Sequence, residues 1–169
     1  FGLSFDNLTF DWTKVVGRSR KVSTRLAGGI EFLFKKNKVD YVKGFGAVTG
    51  ENTVEVTAAD GTKQTITGAN ILITTGCKSR ELPPLPFDGK AVISSKEAMN
   101  LSEQPKSLAI IGAGAIGVEF AYIYNAFGTK VTLIEMLPNI LPVEDDEIGA
   151  EIGKSFKKQG IKVLTETKV

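Results

Sequence analysis

The spacing of apolar residues changes character along the chain, and each change predicts a different element. Between Asp11 and about Lys36, Trp12, Val15, Val16, Val22, Leu26, Ile30 and Leu33 recur at helical intervals. That predicts an amphipathic helix, with Gly28 and Gly29 as a weak point in its interior. "KVDYVKG" predicts a short strand ending at Gly44. In "TVEVTAADGTKQTIT", Val54 and Val56 alternate with polar residues, Asp60-Gly61 supplies a turn and Ile66 lies on the return strand, which predicts a hairpin. "NILITTG" is an almost unbroken β-branched run closing on Gly76, the pattern of a buried parallel strand.

"SRELPPLPFDG", with Pro83, Pro84 and Pro86, reads as an extended connector. Ser94 with Glu97 three residues later is a capping box ahead of a short helix, closed by Pro105. The last third is more regular. "SLAIIG" is a buried strand, and the helix after it sets Ile116, Phe120, Ile123 and Phe127 on one expected apolar face, stopped by Gly128. "KVTLIE" is a second strand. "VEDDEIGAEIGKSFKKQG" is a second helix, with acids in its first turn, lysines in its last, Ile148, Ile152 and Phe156 four apart, and Gly160 at its end. "IKVLTE" is a third strand. Strand, helix, strand, helix, strand is one mononucleotide-binding half of a doubly wound α/β sheet.

Composition narrows the chemistry. A chain with 42% hydrophobic and 24% charged residues is that of a soluble globular protein, and no apolar run approaches the ~20 residues of a membrane helix. The start, "FGLSFDNLTFDW", lacks the basic flank and small-residue cleavage site of a signal peptide, and with "TETKV" at the other end both termini read as cut. One cysteine, Cys77, forms no internal disulfide, and zero histidines leave no expected metal site and no Ser-His or Cys-His nucleophilic pair. Chemistry must come from a cofactor or from residues outside these 169. The basic excess of residues 1–50 is interleaved with apolar positions, as on a solvated helix face, so no nucleic-acid partner and no membrane partner is expected.

The sharpest signal is Gly112-x-Gly114-x-x-Gly117 between a strand and a helix, with Glu135 at the end of the next strand. Gly112 allows the tight turn, Gly114 lets a pyrophosphate approach the backbone, and Gly117 lets helix pack on sheet. The first-turn N–H groups and the helix dipole then face the phosphates, and Glu135 can accept from ribose hydroxyls. A carboxylate there repels a 2′-phosphate, and "MLPNILPV" offers no Lys or Arg to neutralise one before Lys154, which favours NAD over NADP. Local chemistry leaves FAD open as well. Glu119, in the early turns of the helix, is either a helix-dipole carboxylate or a neighbour of the redox ring. The Thr-Gly strand end at Thr75 and Gly76 is a second, weaker cofactor candidate.

"GGIEFLFKKNKVDYVKGFGAV", "NILITTG" and "IIGAGAIGVEFAYIYNAFGTKVTLIE", in that order, resemble the dihydrolipoamide dehydrogenase family of flavin-dependent pyridine nucleotide–disulfide oxidoreductases. The resemblance implies Rossmann-like domains: the latter part of an FAD domain over 1–82, a connector over 83–104, and the first half of an NAD domain over 105–169. It implies NAD contacts at Gly112, Ala113, Gly114, Ala115, Ile116, Gly117, Val118, Glu119 and Glu135, with Val169 at the adenine. FAD contacts are implied at Gly46, Thr75, Gly76 and Cys77. Thr74 and Cys77 depart from the Ala and Ser usual in that family. The family's Cys-x-x-x-x-Cys redox disulfide and its His-Glu pair have no counterpart among these residues, so no catalytic residue is expected here.

As a whole protein, the resemblance implies oxidation of dihydrolipoamide carried on a 2-oxo acid dehydrogenase or glycine cleavage complex, with NAD⁺ reduced to NADH. A homodimer is implied, in bacterial cytoplasm or the mitochondrial matrix. The alternatives are another flavoprotein disulfide reductase, mercuric reductase-like or transhydrogenase-like, and a non-catalytic NAD-binding module.

Overall fold

The computed structural model describes residues 6–169, so the first five residues of the expected non-signal start lie outside the described residues. Contacts divide the chain into two compact units, Gly17–Lys78 and Ser79–Val169, the latter joined by the residues up to Val16.

The Gly17–Lys78 unit holds most of helix α1 (Trp12–Lys36), which runs the predicted length through Gly28 and Gly29 without a break. Asp11 starts it by accepting from the N–H groups of Thr13 at 2.9 Å and Lys14 at 3.3 Å. Three antiparallel strands follow: β1 (Phe45–Gly50), β2 (Thr53–Thr57) and β3 (Lys63–Thr67). The hairpin stands as predicted, with Val54 opposite Ile66. Gly61 takes φ +85 in its turn, and the Asp60 carboxylate accepts from the Thr62 N–H at 2.9 Å.

Two expectations fail in this unit. "KVDYVKG" is not a strand; the ladder begins one residue later, at Phe45, and continues to Gly50. Gly44 itself abuts β2, where a Cβ would lie 2.6 Å from the carbonyl oxygen of Thr57. "NILITTG" is not a buried strand either. It forms no ladder, and Leu72 is 86% exposed. A strand exists only when a neighbour accepts and donates its hydrogen bonds, and no described segment pairs with this run. The apolar stripe of α1 is likewise uncovered at Leu26, Ile30 and Leu33.

The second unit contains the buried core. Short helix α2 (Ser95–Ala98) carries the predicted capping box, Ser94 and Glu97 each bonding the other's end of the turn. Then come β4 (Ser107–Ile111), α3 (Ala115–Ala126), β5 (Lys130–Ile134), α4 (Asp146–Lys158) and β6 (Lys162–Leu164). The strands form a parallel sheet in the order β4-β5-β6, with Ile111 opposite Ile134 and Ile134 opposite Leu164. Gly128 and Gly160 end the two helices at positive φ, as glycine permits.

Helix α3 does not bury the face its apolar spacing suggested. Val118, Ala121 and Tyr124 are buried, Phe120 and Phe127 are half-buried, and Ile116 and Ile123 lie exposed. In α4, Phe156 is buried and Ile152 half-buried, but Ile148 is exposed and Gly149 takes the inward place instead. The reason is close approach. A Cβ on Gly149 would sit 2.5 Å from the Ile140 carbonyl oxygen, so the helix turns its smallest residue to the chain that crosses it. Val131, Leu133 and Ile161 complete the core from the sheet side, each large aliphatic contributing about 1.5–3 kcal/mol on burial. Thr129, fully buried, is satisfied by donating to the Pro105 carbonyl at 2.8 Å.

Among the described residues no helix is long and apolar enough to cross a membrane.

Candidate nucleotide-binding site

The C-terminal ends of β4, β5 and β6 converge on one place, the crevice where open α/β sheets hold ligands. The β4 ladder is extended by the Gly112 N–H donating to the Ile134 carbonyl at 2.8 Å. Gly112 then takes φ +98, a left-handed turn into α3. Gly117 faces that turn, and a Cβ on it would collide with the Gly112 carbonyl oxygen. Gly114 differs from both. Its φ of −71 suits any residue, and a Cβ there would meet nothing within 4 Å. Neither conformation nor packing calls for a glycine at 114, which leaves room for a group outside the chain.

That room faces unsatisfied donors. No side chain caps α3, and the first helical N–H with a partner is that of Val118, donating to the Gly114 carbonyl at 3.0 Å. The N–H groups of Ala115, Ile116 and Gly117 have no acceptor among the described residues. A helix end of this kind, with its partial positive charge, suits a phosphate.

Glu135 lies beside the turn and is only 7% exposed. Its Oε2 accepts from the Ala113 N–H at 2.8 Å and its Oε1 from the Leu137 N–H at 2.9 Å. A carboxylate has about four acceptor directions, so two remain for hydroxyl donors. The last residues pass the same point: the Thr167 N–H donates to the Glu135 carbonyl at 2.9 Å and the Glu166 N–H to that of Leu137 at 3.1 Å. Val169 follows two residues on and is exposed. Ala113 and Val118 place their side chains in the core, so each can offer a ligand only its backbone. Glu119 is exposed, two residues into α3 from Gly117.

The other predicted cofactor residues belong to the Gly17–Lys78 unit. Gly46 lies in β1, exposed and opposite Val56. Thr75, Gly76 and Cys77 are exposed outside any ladder, with Gly76 at φ +75 and Cys77 a free thiol. Pattern reading missed Leu137 and Leu141, whose backbones meet Glu135 and Ala113. The available signal was the Leu-Pro dipeptide at 137–138 and again at 141–142, a loop with a restricted path.

The sequence profile of the pyridine nucleotide-disulphide oxidoreductases matches residues 5–169. The chain belongs to this family. Pyridine nucleotide-disulphide oxidoreductases of the kind it matches use FAD and NAD, and the free helix end, the open space at Gly114 and the spare acceptor directions of Glu135 fit a dinucleotide. A dihydrolipoyl dehydrogenase of Chlorobaculum parvum is 42% identical over this whole chain, which spans 36% of that relative's length. Among solved structures, LpdA from Mycobacterium tuberculosis shares the fold, with a TM-score of 0.84 at 22% identity over 94% of this chain and 36% of its own. The HOCl-induced flavoprotein disulfide reductase RclA from Escherichia coli gives 0.76 at 28% identity, over 95% of this chain and 36% of its own. The chain therefore spans about a third of the length of each of these three proteins.

Proposed function

We propose that this chain is part of an NAD-linked, FAD-dependent dihydrolipoyl dehydrogenase and carries one side of each nucleotide site. The observation that carries the reading is the pairing of Gly114, open to the outside, with Glu135, held beside it with two acceptor directions spare. In this reading Gly112–Gly117 and the start of α3 bind the NAD pyrophosphate, Glu135 the adenosine ribose, and Val169 lies at the adenine. Glu119 faces the nicotinamide side. Gly46, Thr75, Gly76 and Cys77 belong to the FAD site, so residues 1–82 complete an FAD domain, 83–104 connect, and 105–169 begin an NAD domain.

NAD rather than NADP follows from charge. Glu135 repels a 2′-phosphate, and residues 136–143 hold no Lys or Arg to offset it. FAD supplies the two-electron carrier between a disulfide and the nicotinamide. With one cysteine and no histidine, these residues bind and orient nucleotides, while the redox disulfide and the acid/base pair belong to the remainder of the protein. Its partner is then dihydrolipoamide carried on a 2-oxo acid dehydrogenase or glycine cleavage complex, and the working form is a homodimer. Support comes from the identity to relatives named dihydrolipoyl dehydrogenase and from the shared fold.

Steady-state assay and calorimetry on the full-length protein test this. NADH binds and lipoamide is reduced, NADPH binds at least about tenfold more weakly, and Glu135→Ala narrows that gap. Equal affinity for the two nucleotides, or no lipoamide turnover by the full-length protein, overturns the reading. The 169 residues alone turn over no lipoamide.

A further inference from the structure

Ala113 is the one residue of the glycine turn that is wholly buried, and both of its backbone groups are held by the loop after β5. Its N–H donates to Glu135 Oε2 at 2.8 Å, and its carbonyl accepts from the Leu141 N–H at 2.8 Å. Leu141 adopts φ +52, a left-handed conformation that a leucine occupies only under constraint. The constraint is visible on each side. Ile140 is 4% exposed and lies against Gly149 of α4, so the loop is pinned to the helix immediately before Leu141. Glu135 is pinned too, since its second oxygen accepts from the Leu137 N–H at 2.9 Å.

We propose that Glu135 and Leu141 form a clamp on Ala113 that holds the nucleotide turn in its binding geometry before any nucleotide arrives. Glu135 is then both a ribose acceptor and a positioning residue, and Leu141 is a positioning residue acting through its backbone alone. The two peptide units around Ala113 set the direction in which Gly114 and the first N–H groups of α3 point. A turn fixed in advance loses less conformational entropy when the dinucleotide is bound. This inference rests on the nucleotide reading of the site, but the clamp itself exists without ligand and is measured without it.

The two residues break differently. A β-branched side chain is strongly disfavoured at positive φ, so Leu141→Val drives the backbone out of the left-handed region and swings its N–H from Ala113. Leu141→Gly removes more of the side chain yet keeps that φ. Glu135→Gln offers one acceptor oxygen to two N–H donors and turns an amide donor toward the other.

The experiment is amide hydrogen exchange over Gly112–Ala115 and Ile140–Leu141 in full-length protein freed of NAD(H), with the KM for NADH measured in parallel. In Leu141→Val and Glu135→Gln, exchange at Ala113 speeds by at least about tenfold while the β4 and β5 amides stay slow, and KM for NADH rises more than kcat falls. A tenfold rise in exchange corresponds to about 1.4 kcal/mol of lost protection. Leu141→Gly keeps Ala113 exchange slow. Unchanged exchange in both Leu141→Val and Glu135→Gln overturns the clamp, as does Leu141→Gly loosening Ala113 as much as Leu141→Val. Should Leu141→Val fail to fold, the comparison of Glu135→Gln with wild type decides. Fast exchange in these variants with no NADH binding by wild type leaves the clamp standing and removes the nucleotide reading instead.

Discussion

Gly117 of helix α3 lies directly against the carbonyl of Gly112, so closely that a single added carbon would collide with it. Five residues apart in sequence, these two glycines fix how near the helix approaches the end of β4. A Cβ on Gly114, between them, would touch nothing in the chain. One motif therefore contains glycines of different purpose, and substitution separates them.

Gly117→Ala forces helix and turn apart, an overpacking effect that destabilises by about 1–3 kcal/mol. Urea unfolding of the full-length protein reads this as a lower midpoint, and nucleotide affinity falls with it.

Gly114→Ala leaves the unfolding midpoint within about 0.5 kcal/mol of wild type, because its φ is ordinary and its surroundings are empty. Calorimetric titration with NADH shows the loss instead, by about tenfold or more. Unimpaired NADH affinity in this variant would remove the reason given for a glycine at 114.

Tyr124 is buried against Trp12, with ring centroids 5.4 Å apart, and its hydroxyl donates to the Ala98 carbonyl at 2.6 Å. Tyr124→Phe keeps the packing and leaves that carbonyl without its donor, at a cost of about 0.5–1.5 kcal/mol in denaturant unfolding. Burial raises the phenol above its usual value of 10.0. The neutral phenol's stabilising contribution is full below that value and is lost as pH rises through the higher folded one. Tyr124→Phe removes this alkaline sensitivity.

Two carboxylates, exposed Asp88 and half-buried Glu97, act in the opposite direction. Asp88 accepts from the N–H groups of Lys90, Ala91 and Val92, each at 2.8 Å, and the bonds from Lys90 and Val92 lower it most from its ordinary 3.8. The Ser94 hydroxyl lowers Glu97 from 4.5, within the capping box. Both contributions are full above those ordinary values and are lost as pH falls through the lower folded ones. Protection of the Ala91, Val92 and Ser94 amides, taken relative to intrinsic exchange at each pH, therefore falls as pH drops below those ordinary values, and Asp88→Asn and Glu97→Gln flatten that dependence.

What could be read before folding was local. The α1 span, the hairpin around Asp60-Gly61, the capping box at Ser94 and every element from Ser107 onward follow from period, caps and turn residues, which act within a few positions. The turn at Gly112–Gly117 and the carboxylate of Glu135 were legible as well, because a strand-to-helix turn imposes fixed distances along the chain. The failures are all non-local. "NILITTG" has strand composition, but pairing requires a neighbour no propensity can supply, so Leu72 and Ile73 lie open. In α4 an exposed Ile148 beside a buried Gly149 reflects the crossing of Ile140, a residue on another element. The sequence by itself determined which backbone would make the turn and which acid would stand near it. Only the tertiary structure decided that Glu135 and Leu141 hold Ala113 from both sides, because those bonds span 22 and 28 residues and exist only once β5 lies beside β4.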